Sequence, residues 1–313
     1  MSFNQKALVG AITLIISCSI ITAAAVAGGN RTALLKQPIG SLIAIQYLGE
    51  LVGDDRTSME RPMAVAVDKN NEYIFVTDTG RNRILVFNLD GDYLREFGTT
   101  LDYPNALAVD KQGRVYIGEF RTGRIHVFSS DGSLLGLWNS GDVGTPLSPL
   151  ALDIENNTLL VANRTGEILL LSLEGRLIRK FGSAGNLPGN LAYPNGIAAT
   201  DNQIIVSDSG NGRLQVFDYQ GNLVKVIPRQ QLGISAPRGI SIDERGRIYV
   251  ADTLGHRVVQ MNGAFEPINE IGKYGLNGDK LSFPNGVAVS GSRLYITDRE
   301  NGRVLVYALP ETE

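Results

Sequence analysis

The residues best suited to chemistry in this 313-residue chain recur at six places. An acid or amide closes an apolar run at Asp78, Glu119, Asn163, Asp208, Asp252 and Asp298, and a few residues further on stand Arg83, Arg124, Glu167, Arg213, Arg257 and Arg303. In five of the six copies a carboxylate can meet a guanidinium across a short loop. Such a charge-assisted pair, with arginine's rigid fork, braces the loop it spans. Near-equivalent pairs repeated along a chain are a structural device, because catalysis needs one differentiated site. The third copy, "ANRTGEILLL", has a loop one residue shorter, and its Asn163 and Glu167 cannot form the bridge.

Other chemistries are thinly represented. His126 and His256 are the two histidines, they lie in different copies of the repeat, and a usual zinc site needs three or four protein ligands. The single cysteine, Cys18, sits in an apolar N-terminal stretch, so the rest of the chain has neither a disulfide nor a thiolate nucleophile. No glycine-rich phosphate loop and no GxSxG elbow occurs. The net charge of −3 provides no general attraction for nucleic acid or anionic lipid and leaves room for a local basic patch alone. Nucleic acid is therefore not an expected partner.

These positions must be held by the repeat itself. Aligned on proline, the unit starts at Pro62, Pro104, Pro149, Pro194, Pro237 and Pro284, spacings of 42 to 47 residues that indicate a propeller or solenoid. Each copy runs through an apolar segment such as "AVAVD", a turn, a second segment such as "RIYVAD", a polar loop and a third such as "RLQVFD", and most add a fourth. Short β-rich segments separated by Gly, Asp and Asn read as antiparallel strands joined by hairpins. The phrase "PNG" or "PNA" sets Asn105, Asn195 and Asn285 at alternate blade entrances, where Asn and Gly suit the turn. The fold class expected is all-β: a six-bladed propeller of four-stranded antiparallel blades preceded by one N-terminal apolar helix. Blades with two apolar faces must stack and close. The last copy ends at "VLVYALPETE" without a fourth strand, and "SLIAIQYLGEL" at 41–51 precedes the first copy unmatched. Residues 41–51 are expected to supply the missing strand, making 41–310 one domain.

Residues 7–27 are apolar and uncharged, long enough to cross a bilayer at about 1.5 Å per residue. The same stretch followed by "AVA" also suits a signal peptidase. Residues 1–30 are read as membrane anchor or signal peptide and 31–40 as a linker. The propeller is expected on the extracytoplasmic side, membrane-anchored through 7–27 or, after cleavage, secreted or periplasmic.

The pattern Pro-x-Gly-apolar-Ala-apolar, then Tyr-Val-x-Asp, then Arg-apolar-x-x-Phe resembles the NHL repeat, most fully at "APRGISIDERGRIYVADTLGHRVVQM". That resemblance covers 62–307 and implies a six-bladed propeller, a fold that serves enzymes and binding proteins alike. Similarity to gluconolactonase-like propellers would imply a divalent cation such as Ca²⁺ in the central channel, with Asn195, Asp208 and Asn285 as oxygen ligands. Similarity to the propeller lyase that cleaves peptidyl-hydroxyglycine would require a histidine-rich zinc centre that two histidines do not make. Trp138, Tyr47, Tyr93, Tyr103 and Tyr193 are candidate glycan platforms, although Tyr93 is expected to pack in an outer strand and Tyr103 and Tyr193 between blades. The function expected is a scaffold that offers one rim to a protein or glycan partner, possessing no cofactor, as part of a membrane assembly. The competing reading is a metal-dependent, lactonase-like hydrolase.

Overall fold

The computed structural model describes residues 44–53 and 58–310. The anchor or signal at 1–30 and the linker at 31–40 lie outside the described residues. Among those described, no helix is long and apolar enough to cross a membrane.

Six separate four-stranded antiparallel sheets follow one another, numbered here as blades 1 to 6 from Pro62. Their inner strands are Pro62–Asp68, Pro104–Val109, Pro149–Glu155, Pro194–Ala199, Pro237–Ile242 and Pro284–Ser290. Each begins with proline, which has no N–H to give a ladder and is tolerated at a strand's first residue. A register shift follows that proline in every blade.

The second strands are the most buried. Tyr73–Asp78, Ile248–Asp252 and Arg293–Asp298 are covered almost throughout, because a neighbouring blade packs on each face. Near-continuous apolar runs such as "YIFVTD" therefore appear where a one-sided sheet would alternate. The core is divided into six clusters, each between adjacent blades. One joins blade 6 to blade 1 through Leu48, Leu51, Ile74, Val76, Tyr295 and Val304.

Closure uses both ends of the described chain. Gln46–Leu51 pairs antiparallel with Arg303–Ala308, completing blade 6, while residues 41–43 lie outside the described residues. Glu50 stands opposite Leu305, as Glu96 stands opposite Leu85 and Glu270 opposite Val259. Each of these glutamates takes a guanidinium: Glu96 that of Arg83, Glu270 that of Arg257 and Glu50 that of Arg303. The segment "YLGEL" thus occupies the same register as "YLREF" in blade 1, and edge-to-face contact between Tyr47 and Tyr307 at 5.5 Å covers its start.

A chain lacking residues up to Leu51 is expected to lose several kcal/mol, since Leu48 and Leu51 alone contribute about 1.5–3 kcal/mol each on burial. Leu51→Ala, a milder test that keeps the strand, should cost about 2–5 kcal/mol. Urea denaturation followed by intrinsic fluorescence checks both. An unchanged midpoint for the truncated chain would show that the ring does not depend on this strand.

Candidate functional site at the channel mouth

The repeated aspartates form one clip in four of the six blades. Asp208 is fully buried; its Oδ1 accepts the Ala192 N–H at 2.7 Å and its Oδ2 accepts Arg213 Nε at 2.7 Å. Asp252 accepts Ser235 N–H at 2.9 Å and Arg257 Nε at 3.4 Å, and Asp298 accepts Ser282 N–H at 2.6 Å and Arg303 Nε at 2.9 Å. Asp78 does the same for Glu60 N–H and for Arg83 Nε at 2.7 Å. One oxygen ties down the segment entering the blade, and the other fixes the arginine that crosses the loop. The arginine then reaches carbonyls of that entering segment, as Arg213 Nη2 does to Leu187 O and Asn190 O at 2.8 and 2.9 Å.

Blades 2 and 3 vary the clip. Arg124 is exposed and does not pair with Glu119, contrary to the expectation from spacing. Glutamate is one methylene longer, and Glu119 lies 3.1 Å from Nε2 of His126, which stands two residues beyond Arg124 on the next strand. Glu119 accepts Asp102 N–H and the Thr122 hydroxyl; although burial opposes ionisation, the nearby His126 and these two donors together hold its carboxyl below the usual range. In blade 3, Asn163 Oδ1 accepts Ser148 N–H and its Nδ2 donates to Pro146 O at 2.8 Å, so an amide performs the tie without a charge.

The inner strands surround a channel of about 390 Å³. Four blades place alanine four residues after the proline, at Ala66, Ala108, Ala198 and Ala288, and blade 5 places Ser241 there. Blade 3 has Asp153, whose oxygens accept the N–H groups of Ile154 and Ala199 at 2.9 and 2.8 Å. Burial, with Glu155 nearby, pushes its carboxyl up to about 6.

At one end the channel opens into a recess of about 850 Å³ containing Arg61, Arg121, Arg164, Arg238 and Arg299, and no carboxylate in its lining. Loops between second and third strands, and those leading to the next inner strand, emerge together at this face because alternate connections of an antiparallel blade lie at opposite ends. Aromatic rings support three of the cations: Tyr103 lies 4.9 Å from Arg121, Phe120 5.4 Å from Arg164, and Phe283 5.4 Å from Arg299. Arg121 also meets Asp102 at 3.1 Å and Arg299 meets Glu300 at 2.9 Å, outside the recess. Arg238, half-buried, donates to Asn285 Oδ1 at 3.1 Å, and burial together with Arg299 lowers its pKa.

Departures from the repeat create this mouth. After the clip residue, Thr79, Ser209 and Thr253 donate a hydroxyl to the first carbonyl of the next blade, at Pro104, Pro237 and Pro284. Phe120, Arg164 and Arg299 occupy the equivalent places in blades 2, 3 and 6 and line the mouth instead. Arg61, Tyr103 and Tyr193, each directly before a proline, are held at φ of 48–56°, a left-handed conformation that β-carbon sterics disfavour. Tyr103 and Tyr193 line the mouth, and Tyr193 is largely exposed, so neither packs solely between blades as expected. Tyr93 does pack against Phe87, with ring centroids 5.9 Å apart.

The structure sets Asp208 apart from the other two residues considered for a cation. Asn195 and Asn285 line the mouth, whereas Asp208 is buried within blade 4, where Asn211, Arg213, Gln215 and the Ala192 amide occupy its oxygens. Asn285 Nδ2 staples blade 6 to Met63 O at 2.9 Å, and Asn105 Nδ2 staples blade 2 to Leu150 O at 3.2 Å. Among the described residues, no group of three or more His, Cys, Asp or Glu side chains could hold a metal. The arginines were missed by sequence reasoning because they occupy four different positions of the repeat; the lost hydroxyls at Phe120, Arg164 and Arg299 were the available signal.

A closed six-bladed propeller with a differentiated channel mouth is the class these features define. The NHL repeat profile matches residues 101–128, 191–217 and 281–307, so three of the six blades, 2, 4 and 6, carry recognisable NHL repeats. The chain is 30% identical over 178 residues to NHL repeat-containing protein 3 of Mus musculus, covering 49% of this chain and 51% of that one. It is 28% identical over 118 residues to Protein brain tumor of Drosophila melanogaster, covering 37% and 11% respectively. The chain thus spans about half the length of the first relative and far less of the second. A gluconolactonase from Xanthomonas campestris superposes with a TM-score of 0.64 at 17% identity over 80% of this chain and 86% of that one, a likeness of fold.

Two outcomes test this geometry. Arg213→Ala should lower stability by about 3 kcal/mol, because it leaves Asp208 buried without its cation, while exposed Arg124→Ala should change it by less than about 0.5 kcal/mol. Equal effects in urea denaturation would remove the distinction between paired and unpaired copies. Asp153 supplies a pH signature: its folded pKa of about 6 lies above the unfolded value. The native state therefore holds the proton more tightly, so its stabilising contribution is full below about pH 4 and is lost as pH rises to about 6, by at most about 3 kcal/mol. Asp153→Asn should remove that segment of the stability–pH curve; retention of the full slope would assign it to other groups.

Proposed function

We propose that this propeller is a non-catalytic binding module that receives a protein partner on the face containing the arginine-lined mouth, with residues 7–27 delivering it to or across a membrane. One observation carries the reading: Leu187, Tyr193, Leu254, Tyr274 and Leu276 are 61–67% exposed on loops of the same face. Leu187 and Tyr193 precede blade 4, Tyr274 and Leu276 precede blade 6, and Leu254 joins two strands of blade 5. Exposed tyrosines beside arginines, with leucines around them, have the composition of a protein interface, where tyrosine and arginine anchors provide most of the binding energy and apolar neighbours exclude water. The opposite face lacks a comparable cationic recess among the described pockets.

Crosslinking of the full chain in a mild detergent extract, followed by binding measurements on the purified partner, tests the proposal. Leu254→Asp combined with Leu276→Asp should weaken binding by ~10-fold or more, since removal of interface anchors costs about 2 kcal/mol each. Lys111→Ala with Gln112→Ala, on the opposite face, should leave binding unchanged. Equal binding by both variants would place the interface elsewhere.

A further inference from the structure

Resting on the assignment of this face as the docking surface, we propose that the arginine-lined mouth seats an acidic peptide segment of the partner, its carboxylates held by Arg238, Arg299 and Arg164. Five guanidinium groups converge on one recess in a chain whose overall charge is −3, so the mouth is a local inversion of the molecule's charge. No carboxylate among the described residues pairs with Arg61, Arg164 or Arg238. Arginine's planar fork matches a carboxylate's two oxygens, and Tyr103, Phe120 and Phe283 set three of the forks over ring faces.

Asn105 adds an independent requirement. It is 7% exposed and lines the recess; both its amide donor contacts go to backbone carbonyls, at Pro149 and Leu150. Its Oδ1 has no hydrogen-bond partner in the protein. A buried acceptor without a donor is costly, and this one lies beneath the wall of the recess. An acidic peptide offers carboxylate acceptors for the guanidinium groups and carries backbone N–H donors beside them.

The shape of the site favours peptide over nucleic acid. Phosphate backbones are held by cations spread along a groove. Here the cations are gathered around one opening, and the exposed residues beyond it include Leu187, Leu254 and Leu276. Asn195 and Asn285 complete a polar inner rim, while Met63 and Leu150 place apolar side chains among them.

The test is calorimetric titration of the full chain with an end-capped hexaglutamate peptide, using hexaglutamine, succinate and a six-nucleotide single-stranded RNA as comparisons. Expected is saturable one-site binding of hexaglutamate, weakened by salt, with hexaglutamine silent and both succinate and RNA weaker. Arg238→Gln with Arg299→Gln should reduce affinity by ~10-fold or more while hexaglutamine remains silent. If that variant melts early, Arg121→Gln with Arg164→Gln, on exposed side chains, should give a reduction of several-fold, and thermal denaturation verifies that it folds. Absence of hexaglutamate binding, equal binding by the folded variants, or tighter binding of succinate or RNA would each overturn the proposal. The docking reading is judged separately through Leu254→Asp with Leu276→Asp: partner binding lost there while hexaglutamate fails leaves that reading standing and removes only this one.

Discussion

A buried acceptor closes the second strand of every blade and catches a backbone N–H from the segment that enters that blade. Asp78, Asp208, Asp252 and Asp298 use a carboxylate, Glu119 a longer one and Asn163 an amide. A carboxylate removed from water is unfavourable unless donors surround it, so each acid brings its own obligations. The arginine across the loop meets one of them, and through its remaining N–H groups the same arginine reaches the entering loop. The clip therefore connects three pieces of chain that no single hairpin would hold together.

Once six clips fix six equivalent panels, the wall no longer depends on every loop residue being the same. Thr79, Ser209 and Thr253 add a hydroxyl bond to the next blade, and the ring holds without it where Phe120, Arg164 and Arg299 stand. Those three blades release side chains into the mouth. The electrostatic result is local, since acidic residues elsewhere make the whole chain slightly negative while the mouth gathers guanidinium groups. Aromatic faces beneath three of them, Arg121, Arg164 and Arg299, offset part of the repulsion among the five.

Closure follows the same logic at the seam. The glutamate at the fourth strand of blades 1 and 5 engages the clip arginine from its outer side, and in blade 6 this glutamate is Glu50, from the opposite end of the chain. The seam is thus built as another repeat interface, with Leu48 and Leu51 filling the apolar wedge between blades 6 and 1. Gly286 belongs to this seam as well: a β-carbon there would meet Met63 O at 2.5 Å, so the inner strands of blades 6 and 1 approach as closely as they do because the side chain is absent.

The sequence by itself determined the number of blades, the four-strand order and most acid–arginine pairs, since proline spacing, strand patterning and short loops are local features that repeat. Asp208 with Arg213, Asp252 with Arg257 and Asp298 with Arg303 lie across one tight connection, and their pairing needs no distant part of the chain. Glu119 and His126 were not legible in that way, because one additional methylene redirects the carboxylate along a strand face. The mouth was less legible still. Arg61 precedes a proline, Arg238 follows one, Arg164 and Arg299 follow the clip residue, and Arg121 stands one place beyond it, so no shared motif marks them. Only the closed ring, by bringing the same ends of six blades around one axis, turns residues far apart in the chain into one cationic recess.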